Sequence, residues 1–185
     1  MKSTKITTRR TQTASRATPQ NLAFAEVVGM LHAARGRALA AVNTELVDLY
    51  WRVGEHISRR IGTDGWGKGT VSALAEYIQK RHPGTQGFSP QNLWRMRQFF
   101  EAYRAQPELS SLMRELPWTS NLHILTRCKR AEERAFYLRM AVQQRWSARE
   151  VARQIDGALF ERAVLNPPKV SAALRELHPG AEAVF

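Results

Sequence analysis

The sequence predicts an all-α fold, a multi-helix cluster with a long N-terminal helix and a helix-turn-helix-like unit near its middle. Three observations predict it. Leu39, Val42, Leu46, Leu49, Val53 and Ile57 recur at spacings of three and four, the interval of one helix face. Leu93, Met96, Phe99, Phe100 and Tyr103 fall within an arc of roughly 120° when turned at about 100° per residue. No segment carries the apolar-polar alternation of paired strands, so a winged variant with a β-hairpin after Tyr103 is not expected.

Taken in order, residues 1–19 hold Lys2, Lys5, Arg9, Arg10 and Arg16, many Ser and Thr, and no acid. With almost nothing apolar to bury, this is expected to be a disordered basic tail. From Gln20 to about Arg60 the pattern is helical, as one long helix or as two, because Gly29 and Gly36 weaken its first half. The three-and-four stripe reads either as the seam of a core-packed helix or as a short coiled coil. It makes Leu39, Val42, Leu46, Leu49 and Val53 the candidate dimer contacts.

Gly62, Gly67 and Lys68 come close to a phosphate-binding loop. Gly69 stands where that motif needs Ser or Thr for magnesium, however, and the preceding segment reads as helix where the motif follows a strand. The segment is therefore expected to be a tight turn that lets Trp66 pack and Lys68 open a helix over Thr70 to Arg81, which stops before Pro83. Gly84 and Gly87 then supply a turn, Ser89 can cap the next helix, and Pro90 fits its first position.

That second helix is the candidate recognition helix of a unit at about residues 70–104. Gln91, Trp94, Arg95 and Gln98 lie on the arc opposite the apolar stripe. Arginine and glutamine offer forked groups that match guanine and adenine edges in a major groove, and helix-turn-helix proteins place such residues on their second helix. Lys68 and Arg97 would hold phosphates. The same arc also reads as an ordinary solvated helix face. A tryptophan there has to pack on another segment, a partner chain or a nucleic acid.

Beyond Tyr103, Pro107 and Pro117 bracket a short helix around Leu109 to Glu115, and Thr119 or Ser120 can start another through Leu122, Ile124 and Leu125. A second basic helical pair follows, one helix marked by Ala135, Leu138 and Val142 and the next opened by the capping-box pattern Ser147 to Glu150. Its cations make a secondary basic site, with Arg127, Lys129, Arg130, Arg149 and Arg153 as the candidate contacts. Pairing with neighbouring glutamates is the alternative fate of these arginines. Asn166, Pro167 and Pro168 end the compact part, and residues 166–185 read as a linker.

Within 185 residues, 28 lysines and arginines face 16 acids, for a net charge of +12. Such an excess suits nucleic acid or an anionic surface. Cys128 is the sole cysteine, which excludes an intrachain disulfide and fits a reducing cytoplasm. No apolar run is long enough for a membrane span.

Several blocks resemble the N-terminal domain of the YhcG family, long called domain of unknown function 1016. They are LVDLYWRVGEHI from Leu46 to Ile57, GWGKG from Gly65 to Gly69, GFSPQNLWRMRQFF from Gly87 to Phe100, PWTSNLHIL from Pro117 to Leu125, and RAFYLRMAVQQRWSAREVARQI from Arg134 to Ile155. The resemblance covers about Val42 to Phe185. It implies a bacterial helical module, DNA-binding in expectation, that precedes a PD-(D/E)XK nuclease domain, which residues 166–185 would lead toward. That nuclease centre needs an aspartate and a Glu-x-Lys on adjacent strands to hold metal and steady water. The sequence holds no Glu-x-Lys, and its five histidines are widely separated, so no catalytic residue, metal site or cofactor is assigned. The expected function is a non-catalytic DNA-binding module that positions a nuclease domain in cis or in trans. The alternative is a dimerisation or protein-interaction module whose basic surface is incidental.

Overall fold

A computed structural model of the chain describes residues 19–165, with side chains over 24–164. Of the tail expected over residues 1–19, residues 1–18 lie outside the described residues, as does the linker expected over 166–185, and Pro19 opens a helix. Helix α1 runs Pro19–Asp64, without interruption at Gly29 or Gly36. It is followed by α2 (Lys68–Arg81), α3 (Pro90–Tyr103), a 3-10 turn (Pro107–Leu109), α4 (Ser110–Glu115), α5 (Trp118–Arg127), α6 (Ala131–Gln143), α7 (Ala148–Asp156) and a π turn (Glu161–Leu165). Among the described residues there is no strand, so the expected all-α fold with its long N-terminal helix is what the chain adopts.

The chain divides into two units, residues 1–39 and 40–185. In the first, every described side chain from Phe24 to Leu39 is exposed. The second holds the core. One apolar cluster gathers Phe99, Tyr103, Ile124, Tyr137, Leu138, Val151 and Phe160, and the other gathers Tyr50, Ile57, Val71, Ala75, Leu93 and Met96. Helix α3 contributes to both, because its stripe is long enough to run through them. Leu93, Met96, Phe99 and Tyr103 are fully buried, and Phe100 lies half-buried with its ring edge-on to Trp51 at 5.1 Å. Trp118 packs against both clusters, its ring 4.8 Å from Tyr50 and 5.2 Å from Phe99.

The expected α1 stripe divides. Ile57 is buried and Val53 half-buried against the core, whereas Leu39, Val42, Leu46 and Leu49 are exposed; Val47 and Tyr50, outside the stripe, enter the core, with Gly54 beside them. Val47, Tyr50 and Gly54 centre roughly 100° around the helix from Val42, Leu46 and Leu49, at 3.6 residues per turn. Apolar spacing marks a stripe, but on a helix with two neighbouring stripes it does not say which one docks. The choice is made at Gly54, where a Cβ would collide with the carbonyl of Met96. Only the face that carries this glycine lets α1 approach the α3 backbone so closely.

Other boundaries shift by local chemistry. Helix α2 starts at Lys68, two residues before the expected Thr70. Helix α5 starts at Trp118 behind Pro117, so Ser120 lies buried in its first turn and does not cap it. The short α4 ends on carbonyls taken by two asparagine amides. Asn43 donates to Arg114 and Leu116 at 2.8 and 3.1 Å, and buried Asn121 donates to Met113 and Leu116 at 2.9 and 3.1 Å. Asp48 of α1 pairs with Arg114 at 2.6 Å beside them. Cys128, just past α5, is 1% exposed, and burial, with Glu133 next to it, pushes its thiol up to about 12.

Gly54→Ala should be strongly destabilising, because the colliding atom is backbone and cannot rotate away. Overpacking of this kind costs about 3 kcal/mol, so thermal unfolding followed by circular dichroism should show a melting temperature lower by roughly 6–12 °C. A variant that melts with the wild type would mean that the two helices do not cross there.

Candidate nucleic-acid interface

The start of α3 is built as its sequence dictates. The hydroxyl of Ser89 accepts from the Asn92 backbone N–H at 3.3 Å, Pro90 occupies the first turn, and Gly84 and Gly87 take positive φ of 86° and 90° in the preceding loop. Gly87 is doubly constrained, since a Cβ there would also meet the Tyr50 hydroxyl. Asn92 ties this loop to the core by donating to the Gly87 carbonyl at 2.5 Å and accepting from the Trp118 indole N–H at 3.0 Å.

On the outward arc the candidate residues separate. Gln91 and Gln98 are exposed, and Arg95 is half-buried. Among the described residues Arg95 has no ion pair. Trp94 is half-buried against the Tyr50–Ile57–Met96 cluster, and the Arg97 guanidinium lies over its ring at 5.3 Å. Arg97 also binds Glu101 at 2.8 Å. Trp94 thus has its packing partners within the fold, and Arg97 is held by a carboxylate and an aromatic face. Lys68 is exposed at the first position of α2, a helix end that repels cations and attracts anions. The connection between α2 and α3 is eight residues, from His82 to Ser89, against the three or four of a helix-turn-helix.

The second basic pair meets that length. Four residues, Gln144 to Ser147, join α6 to α7, and Arg145 takes a left-handed φ of 51°, where such turns often use glycine. The Ser147 hydroxyl caps α7 by accepting from the Glu150 N–H at 3.2 Å. The carboxylate of Glu150 turns the other way and accepts from Arg153 at 2.7 and 3.0 Å and from Gln154 at 2.6 Å. Those contacts, Arg153 first, hold the Glu150 carboxyl below the usual range. Buried Tyr137 fixes α6 against the far end of α7, since its hydroxyl donates to the Gln154 carbonyl at 3.3 Å and accepts from the Phe160 N–H at 3.1 Å.

Around α7 the cations have distinct fates. Arg127 binds Asp156 at 2.7 Å. Arg130 lies over the Phe160 ring at 4.9 Å and near Glu161 at 3.6 Å. Arg134 donates to the carbonyls of Lys129 and Cys128, at 2.9 and 3.4 Å. Lys129, Arg139, Arg145 and Arg149 are exposed and, among the described residues, without ion pairs. Arg149 and Arg153, four residues apart, share one outward face of α7, and Val151 is buried on the inward one. Sequence reasoning missed Asn43, Asn92, Asn121 and Tyr137. Their roles depend on which distant backbone groups they reach, which no local pattern encodes.

Of the dimer candidates, Leu39 and Val42 are 72% and 66% exposed, Leu46 and Leu49 are 36% and 38% exposed, and Val53 is half-buried against the Tyr50–Ile57 cluster. Among the described residues no group of His, Cys, Asp and Glu could hold a metal ion, and no helix is long and apolar enough to cross a membrane.

By its fold the chain is an all-α helical module with two cationic helix faces. The family model of the DUF1016 N-terminal domain matches residues 26–162, and the chain belongs to that family. The match is to the N-terminal domain, with no match to a catalytic domain. No curated protein and no solved structure matches the chain.

Ser147→Ala should remove the α7 cap at a cost of about 1 kcal/mol. The expected result is a melting temperature lower by roughly 2–4 °C, with the far-UV spectrum retained. No change would mean that α7 is held by packing alone.

Proposed function

We propose that the chain is a non-catalytic module that binds duplex DNA through α7, with α6 and the Gln144–Ser147 turn supporting it. The observation that carries this reading is the outward face of α7. Arg149 stands in the first turn, and Arg153 one turn further on, of a nine-residue helix that a four-residue turn joins to its predecessor. In helix-turn-helix proteins the second helix enters the major groove with its N-terminal residues toward the bases. Arginine at such a position reads guanine with two hydrogen bonds, and Arg139, Arg145 and Lys129 would hold phosphates. The Glu150 carboxylate holds Arg153 until a phosphate or base edge replaces it. The α3 face of Gln91, Arg95 and Gln98 is the weaker candidate, because Trp94 and Arg97 are engaged within the fold and the connection to α2 is long. The chain's resemblance to the YhcG family supports the further reading that the module holds a PD-(D/E)XK nuclease domain on DNA, in cis or in trans.

The test is fluorescence anisotropy of a labelled duplex across a salt series. Wild type is compared with Arg149→Ala/Arg153→Ala and with Arg95→Ala/Gln98→Ala. The α7 variant should bind at least tenfold more weakly, since each two-bonded arginine–guanine contact is worth about 1–3 kcal/mol. The α3 variant should bind as the wild type does. The reverse pattern would move the interface to α3, and no binding at low salt would overturn the DNA reading.

Purified protein with magnesium or manganese should leave the same duplex intact after prolonged incubation. Cleavage that survives repurification, and is lost with a substitution in the chain, would make the module an enzyme after all.

A further inference from the structure

Helix α6 ends on a strained arginine. The backbone N–H of Arg145 donates to the Val142 carbonyl at 3.2 Å, and that of Trp146 to the Ala141 carbonyl at 2.9 Å. These are the paired bonds of a Schellman helix end, whose pivot is left-handed and usually glycine. The pivot here is Arg145, at a φ of 51°, where an L side chain crowds its own backbone. Nothing within the described fold offsets that strain, since the side chain is exposed and, among the described residues, its guanidinium has no ion pair or hydrogen bond. Strain held at an unpartnered charged side chain points to a use outside the fold. Arg145 and Trp146 also line a pocket of about 290 Å³ with Glu115, Pro117, Ala141 and Val142, roughly twice the volume that holds one benzene ring. Trp146 is half-buried there and Glu115 is exposed. Among the described residues the Glu115 carboxylate makes no ion pair with Arg145 or with any other cation.

We propose that this pocket receives one unpaired, amino-bearing purine of the DNA that α7 holds. The inference rests on the α7 reading and names the form of DNA that site prefers. Three parts of one nucleotide meet three parts of the pocket. The face of the base stacks on the Trp146 indole, as unpaired bases do on aromatic side chains. The amino group donates to the Glu115 carboxylate, which can only accept. The attached phosphate takes the Arg145 guanidinium. A paired base is excluded, because its neighbours in the stack cover both faces and extruding it costs pairing and stacking that an unpaired base has already lost. A peptide side chain meets fewer of these groups. Lysine pairs with Glu115 but is repelled by Arg145, a carboxylate does the reverse, and an aromatic ring leaves both charges alone. The room for two rings favours a purine over a pyrimidine.

Fluorescence anisotropy with the full chain, at one low salt concentration, compares a perfect duplex with the same duplex carrying one extra, unpaired adenine. The wild type should bind the bulged duplex about tenfold more tightly, the scale of one base stacked on an aromatic ring. Trp146→Leu should erase most of that preference. Because Trp146 also packs against the core, two variants at exposed positions carry the test if that one fails to fold. Glu115→Ala should bind an unpaired adenine no better than an unpaired purine without the amino group, which the wild type should distinguish. Arg145→Gly should lose most of the preference while melting about 2 °C higher, since glycine relieves the left-handed angle. Equal binding of the two duplexes by the wild type would overturn the proposal and leave the α7 reading standing. A preference that survives both Glu115→Ala and Arg145→Gly would overturn it as well. Binding of the bulged duplex alone, lost in these variants, would uphold the pocket and overturn the α7 reading of a duplex binder. No binding of either duplex would overturn both.

Discussion

The interior of the second unit depends on where Trp118 sits. Among the described residues its indole alone packs on both apolar clusters, edge-on to Tyr50 of α1 and to Phe99 of α3. A buried indole N–H needs an acceptor, and it finds Asn92. That bond draws in the loop before α3, because the same asparagine holds the Gly87 carbonyl. One residue therefore sets α1, α3 and α5 relative to one another, and through α5 it sets the surface on which α7 rests. Pro117, immediately before it, fixes the chain direction into α5 and is the reason this helix begins at the tryptophan.

The cations show how little a charge count says about availability. Many arginines are consumed inside the fold. Arg114 pairs with Asp48, Arg127 with Asp156, and Arg97 with Glu101, while Arg130 lies over an aromatic ring. Exposed pairs of this kind contribute little to stability, but they do direct the side chains along the surface and lower the local field. Among the described residues Lys129, Arg139, Arg145 and Arg149 of the α6–α7 region have no such partner, and neither do Arg52, Lys68, Lys80, Arg95 and Arg104 elsewhere.

Much of the fold was legible in the sequence, and for physical reasons. The α3 stripe is unambiguous because its apolar residues fill one arc and leave polar residues on the rest. Ser89 with Pro90, and Ser147 with Glu150, announce helix starts because a short oxygen-bearing side chain satisfies free N–H groups locally. The burial of Val71, Ala75, Leu138 and Val151 follows from the same periodicity. The inward face of α1 was legible at Val53 and Ile57 but not at Val47 and Tyr50, since the deciding residue is a glycine with no hydrophobicity to count. The candidate site was less readable still. Trp94 and Arg97 share an arc with Gln91 and Gln98, yet only the three-dimensional packing shows that they turn to each other and to the core. The length of the α6–α7 turn depends on helix ends that periodicity alone locates to within a residue or two.

Cys128 gives the molecule a built-in clock. It is the only thiol in the chain, sealed at the junction of α5 and α6 with its ionisation pushed up to about 12. The reactive species is the thiolate, so an aqueous disulfide reagent meets almost none of it while the junction stays shut. Labelling at neutral pH then proceeds only as fast as the junction opens. A single chromophoric reagent, added to unmodified protein, would report how often α5 and α6 separate, and whether a ligand seated on α7 slows that breathing.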